Sequence, residues 1–155
     1  MSYRVIGLDP KQFEPFFALS DEELAARGMA RVVADEKPCF PCRITLRDAD
    51  IGETLLLLNY EHHGVQNPYR SSHAIFVTEH ASRRYDEVNR IPEVMTNRLL
   101  SIRSFDGSGM MLDADIAAGT DVEPLILRLF ADPRAAYLHV HNAKRGCFSA
   151  RVERA

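Results

Sequence analysis

The chain has no excess of positive charge, no long apolar run and few cysteines, and each absence closes off a class of function. With 19 Lys and Arg against 22 Asp and Glu, the formal net charge is −3. General nucleic-acid binding needs a basic footprint to neutralise phosphates, so no nucleic-acid partner is expected. No apolar stretch, the Leu55–Leu58 run included, approaches the roughly 20 residues of a membrane-spanning helix, so no membrane partner is expected either. The opening residues Met1-Ser2-Tyr3-Arg4-Val5 carry no basic region followed by an apolar segment, which argues against a secretory leader. Three cysteines are an odd number in a chain long enough to bury a core without staples. They are expected to be reduced, which points to the cytoplasm.

Catalytic motifs are equally scarce. There is no Gly-x-Ser-x-Gly elbow, no His-Glu-x-x-His pair and no dinucleotide fingerprint. Gly107-Ser108-Gly109 is too short to cradle a phosphate and lacks the Lys that would follow. No repeat, linker or low-complexity segment interrupts the 155 residues, so one domain is expected.

Local patterns supply the elements. Tyr3–Leu8 is apolar and partly alternating, a strand ended by Asp9-Pro10. Phe13, Phe16 and Phe17 share a helical face, and Ser20 with Glu23 forms a capping box that opens a helix ended by Gly28. A further helix is expected after Thr120 or Asp121, with Leu125, Ile126, Leu129 and Phe130 as its apolar stripe and Asp132-Pro133 as its stop. Met29–Ala34 resembles a strand. Leu55–Leu58 lacks alternation, as a central strand covered on both faces would, and Ala74–Glu79 is a second strand beyond the loop around Pro68. Residues 98–105 and 110–116 flank a Gly-containing turn, and residues 135–141 and 147–153 form a final hairpin. His80–Val94 reads as a loop with a helical turn. These elements predict a single α+β domain with a mainly antiparallel, bent or barrel-like sheet and two or three short helices, near residues 11–27 and 120–132.

Alternation assigns faces. In the last hairpin, Leu138, Val140, Phe148, Ala150 and Val152 should be buried together, and Tyr137, His139, His141, Cys147, Ser149 and Arg151 should share the other face. Asp113 and Asp115 should face solvent or a site together. His62 and His63 are adjacent, so at most one should reach any given pocket.

Three constellations could carry chemistry. Cys39 and Cys42 have zinc-ligand spacing, and His139, His141 and Cys147 could complete a shell, but a strong zinc signature has two such pairs. Flanked by Pro38 and Pro41, the pair reads more simply as two packed small residues, and no metal or cofactor is assigned. Cys147 beside His139 or His141, after Arg145, could act as a thiolate nucleophile in a zinc- or cysteine-dependent hydrolase. The plainer reading is a polar, half-exposed sheet face. Tyr69, Arg70, Ser71, Ser72 and His73 crowd one loop between two core strands. There Arg70 could fork onto a carboxylate or phosphate while Tyr69 fixes orientation, with Arg145 as a second cation. Against this stands an ordinary surface loop with Arg70 paired to Glu61 or Glu79. The leading expectation is a cytoplasmic protein that binds a small anionic or polar ligand through the 67–73 loop. The alternatives are the hydrolase and a homodimer formed through an exposed strand edge.

The segments Phe40-Pro41-Cys42-Arg43, Asp48-Ala49-Asp50-Ile51-Gly52-Glu53, Leu56-Leu57-Leu58, Asn67-Pro68-Tyr69-Arg70, Ala74-Ile75-Phe76-Val77 and Lys144-Arg145-Gly146-Cys147 occur in this order. Together they resemble the domain-of-unknown-function family 1203, small bacterial proteins of about this length. The resemblance runs from the first cysteines to the C-terminus. It implies a single-domain bacterial protein and, by the family's own label, no assigned activity. Many members carry Gly-Pro where this chain has His73-Ala74, so the resemblance implies no role for His73.

Overall fold

Each antiparallel strand pair brings two alternating apolar faces into line, and nine strands do so here in two sheets. A computed structural model describes all residues from Met1 to Ala155. The larger sheet holds β1 (Tyr3–Ile6), β5 (Asp86–Val88), β6 (Leu99–Phe105), β7 (Met111–Ala118), β8 (Tyr137–Asn142) and β9 (Phe148–Arg154), in the order β5-β1-β9-β8-β6-β7. The smaller holds β2 (Ala30–Val33), β3 (Thr54–His63) and β4 (Ser71–Thr78), with β3 central. The α+β class and antiparallel pairing are as expected, and so is the central position of Leu55–Leu58. The strands divide between two open sheets, however, where one bent sheet was expected.

Residues 41–48 stitch the two sheets together. Cys42 bridges to Phe76 of β4, and the Arg43 N–H donates to the Phe76 carbonyl at 3.0 Å. The Arg43 carbonyl accepts from Leu8 N–H at 2.8 Å, just past β1. Gly7 lies so close to the Ile44 carbonyl that a Cβ there would collide with backbone, so this crossing requires glycine.

Helices cover what the sheets leave open. Ser20 Oγ accepts from Glu23 N–H at 3.1 Å, and Glu23 Oε2 accepts from Ser20 N–H at 2.8 Å. This capping box opens α2 (Asp21–Ala26), which Gly28 ends at φ 72°. With α1 (Glu14–Phe17), α2 packs Phe13, Phe17 and Leu24 onto Leu56, Leu58, Ile75 and Val77. Two features differ from expectation near the later helices. Residues 80–94 hold the expected helical turn, as the start of α3 (Glu93–Thr96), but also the strand β5, because residues 86–88 pair with β1. Glu93 accepts from Asp48 N–H at 2.9 Å, and Arg98 and Asn97 bond the buried Asp48 carboxylate. And α4 (Val122–Phe130) is not capped by Thr120 or Asp121. A 3-10 turn over Gly119–Asp121 runs directly into it, leaving the Asp121 side chain without a cap bond.

The apolar stripe of α4 does form as expected. Leu125, Ile126, Leu129 and Phe130 bury against Leu100, Ile102, Leu138, Val140, Ala150 and Val152 of the larger sheet. Asp113 and Asp115 share a face, and both pair with Arg128 of α4, at 3.4 and 2.8 Å. One face of the larger sheet is thus an aliphatic core.

Candidate functional site

The opposite face of that sheet is made of rings and cations. Ser101, Arg103 and Phe105 of β6 stand opposite His141, His139 and Tyr137 of β8. Alternation forces this outcome, since their neighbours Leu100, Ile102, Leu138 and Val140 take the core side. The far end of β3 lays His62 and His63 over this face. The His62 ring lies 4.9 Å from that of His141 and 6.0 Å from that of His139, and His63 lies 5.1 Å from His139. Phe148 of β9 stacks under His62 at 5.2 Å. Phe105, Tyr137 and Phe148 are buried here, outside the aliphatic clusters. Between the sheets opens a cleft of about 200 Å³, lined by His62, His63, Pro68, Tyr69, Arg70, Ser71, Arg103, Phe105, Met111, His139 and His141.

Bulges aim these side chains. The fold has three register shifts, and each borders the cleft. Between Tyr60↔His73 and His63↔Ser71, β3 carries one residue more than β4, so the adjacent His62 and His63 both line the cleft. Between Ser104↔Asp113 and Phe105↔Met111 the extra residue is Leu112. Between Val140↔Ala150 and His141↔Phe148 it is Ser149, which moves Phe148 from the aliphatic side to the histidine side. Two expectations are corrected by this device. Both members of the His62–His63 pair serve one pocket, and Phe148 takes the place beside His141 that alternation gave to Cys147.

Hydrogen bonds fix the state of the rings. The Nδ1–H of His63 donates to the Tyr69 carbonyl at 2.8 Å, and its Nε2 meets the Tyr137 hydroxyl at 2.7 Å. The Nδ1–H of His141 donates to the Gly146 carbonyl at 2.9 Å. Nδ1 of His139 and Nδ1 of His62 are buried with no partner at hydrogen-bonding geometry. Burial, reinforced by neighbouring rings and arginines, pushes His139 down to about 2, His141 to about 3 and His62 to about 4. All three are neutral imidazoles at physiological pH. Burial also raises the Tyr137 hydroxyl, although the Arg151 guanidinium sits 4.0 Å from its ring centre.

The charge of the cleft comes from arginine alone. Its lining includes Arg70 and Arg103 and no Asp or Glu. Arg70 pairs with Glu61, and both side chains are largely exposed, an arrangement worth little in water. Arg103 is half-buried, donates only to Ser101 Oγ at 3.3 Å and has no acidic partner; burial pulls its pKa down. The loop that carries Arg70 is preformed. Asn67 Oδ1 accepts from Tyr69 N–H at 2.8 Å, and Asn67 Nδ2 donates to the Ser108 carbonyl at 3.1 Å.

Of the residues expected in a site, Tyr69, Arg70, Ser71, His139 and His141 converge on this one cleft. Three do not. His73 lies within β4 opposite Tyr60, half-buried and away from the cleft, with its own ring bonded to the Ala74 carbonyl. Arg145 is exposed in the β8–β9 turn. Cys147 is buried outside the cleft, where its Sγ accepts from Asn142 Nδ2 at 3.3 Å and no hydrogen bond joins it to either histidine. Beside it lies Arg43, a fully buried guanidinium that donates to the Phe148 and Pro41 carbonyls at 2.8 and 2.6 Å. Cys39 is exposed and Cys42 buried, so that pair has split between two environments. Arg103, Phe105 and Met111 were missed. The signal for Arg103 was its place in an alternating strand, a charged residue on the same face as Ser101 and Phe105. No three His, Cys, Asp or Glu side chains gather at metal-holding geometry, and no helix is long and apolar enough to cross a membrane.

Comparison with known proteins adds one finding. The family model described as a protein of unknown function, DUF1203, matches residues 39–154, a span that includes every residue lining the cleft. No curated protein and no solved structure matches the chain.

Proposed function

The chain belongs to the DUF1203 family, and since that family supplies no activity, we propose from the residues themselves that the protein binds a small anionic ligand in the cleft between its sheets. One observation carries the reading. Two guanidiniums face a cleft without a carboxylate, and the deeper one, Arg103, has no acidic partner. A half-buried cation left unpaired is costly, and an anion would relieve that cost through charge-assisted hydrogen bonds. Arg70 can exchange its exposed Glu61 partner for the ligand, Ser71 adds a hydroxyl, and Tyr69 with Phe105 and Met111 offers apolar walls. At about 200 Å³ the cleft falls below the roughly 300–1,000 Å³ of drug-sized sites, which favours a small metabolite. Three free cysteines, one of them exposed, suit a reducing cytoplasm. A hydrolase built on His139, His141 and Cys147 has less support, because Cys147 lies outside the cleft.

The test is a thermal-shift panel of small carboxylates and phosphates on the full chain. At least one anion should raise the Tm, as ligand at 100 times its Kd adds about 2.7 kcal/mol. Arg103→Ala should abolish the shift and Arg70→Ala should reduce it. A panel that moves nothing, or shifts that survive both substitutions, would sink the proposal.

A further inference from the structure

We infer that the ligand of this cleft is a hydroxylated small anion, one that carries an O–H donor beside its carboxylate or phosphate. This rests on the anion-binding reading above and deepens it. The argument comes from where the protons of the rings must be. A carbonyl can only accept, so the Gly146 carbonyl 2.9 Å from His141 Nδ1 holds the single N–H of that neutral ring. The lone pair of His141 is therefore on Nε2, which makes no hydrogen bond within the chain and opens onto the cleft that the ring lines, while the residue as a whole is only 2 % exposed. His63 shows the same tautomer already satisfied. Its Nδ1–H is held by Tyr69, and its Nε2 lies 2.7 Å from the Tyr137 hydroxyl, whose O–H supplies the donor. His141 thus lacks the O–H that Tyr137 provides to His63. His139, also 2 % exposed, adds a second unsatisfied polar ring to the same wall through its unpartnered Nδ1.

A proton does not occupy Nε2 at neutral pH, because burial keeps the ring far below that range. A metal cation is also a poor occupant, since Arg103 makes the local field positive and no carboxylate offsets it. What remains is an O–H donor: solvent water until a ligand displaces it, and then a hydroxyl of the ligand itself. Its anionic end meets Arg103 and Arg70, and its hydroxyl meets Nε2 of His141. A fully deprotonated anion without a hydroxyl, such as sulfate or a simple dicarboxylate, satisfies the arginines and leaves the ring unmet.

Titration calorimetry with matched pairs separates these cases: malate against succinate, and glycerol phosphate against propyl phosphate. In at least one pair the hydroxylated member should bind about tenfold more tightly, the worth of one neutral hydrogen bond. His141→Phe should erase that ratio while leaving anion binding. His141→Asn keeps a donor for the Gly146 carbonyl, removes the Nε2 acceptor and should have the same effect if the Phe variant does not fold. Equal affinities within both pairs, or a preference that persists in the variants, overturn the inference and leave the anion reading standing. Failure of all four to bind overturns it too, and a silent thermal-shift panel would then remove the anion reading as well.

Discussion

The two faces of the larger sheet are cut from the same strands and solve opposite problems. On one side Leu100, Ile102, Leu138, Val140, Ala150 and Val152 meet α4 in a dry aliphatic core. On the other, the intervening residues Arg103, Phe105, Tyr137, His139 and His141 meet the end of β3 in a wall of rings, with polar atoms left without partners. The β1–β9 and β6–β8 ladders run without interruption, and the shifts fall where strands approach the cleft. The aliphatic face is arranged for stability. The ring face tolerates unmet hydrogen bonds, which native interiors rarely do unless a site requires it.

Acid should separate the faces most strongly. His139 and His141 are held at about 2 and 3 against an ordinary 6.5. Their folded values are depressed, so between 6.5 and those values only the unfolded chain takes up the protons. The stability they permit is complete above pH 6.5 and is lost as pH falls below it. Each ring contributes up to about 1.4 kcal/mol per pH unit. Urea unfolding at pH 7 and pH 5 should show a steep loss, and the double variant His139→Leu/His141→Asn should show a shallower one. Equal slopes would mean that these rings are not buried neutral.

A cavity on the aliphatic face comes next. Leu138 is fully buried in the main cluster, so Leu138→Ala should cost about 2–5 kcal/mol by chemical denaturation, with little change in ligand selectivity. The smallest effect has the opposite sign. His139→Leu replaces a ring whose Nδ1 is unmet, and should leave stability unchanged or raise it by about 1 kcal/mol while weakening anion binding. A loss as large as that of Leu138→Ala would show that the ring wall is a second core and remove the contrast.

Local signals in the sequence carried much of the fold. The Ser20–Glu23 capping box, the Gly28 stop, the Leu125–Phe130 stripe and the final hairpin are each set by a few neighbouring residues, and each formed. Half of the site was legible too, because the 67–73 loop and the His139/His141 face both advertise polar groups next to core strands. The rest depends on partners far along the chain. Nothing near Leu99 says that β6 will lie beside β8, so Arg103 could not be placed opposite His139. Alternation also assumes an unbroken ladder. One inserted residue reverses every face beyond it, and this is why Cys147 and Phe148 exchanged roles and why His62 and His63 came to serve the same cleft.

The extra residue at Ser149 has a genetic meaning as well. With that codon lost in frame, Val140 still faces Ala150 and His141 still faces Phe148, the pairs of an uninterrupted ladder. The same loss in β6 or β8, whose mutual ladder has no spare residue, would turn all later side chains to the wrong face. The aromatic floor beneath His62 is therefore inherited partly as a count of residues, and a lineage could straighten β9 without surrendering it.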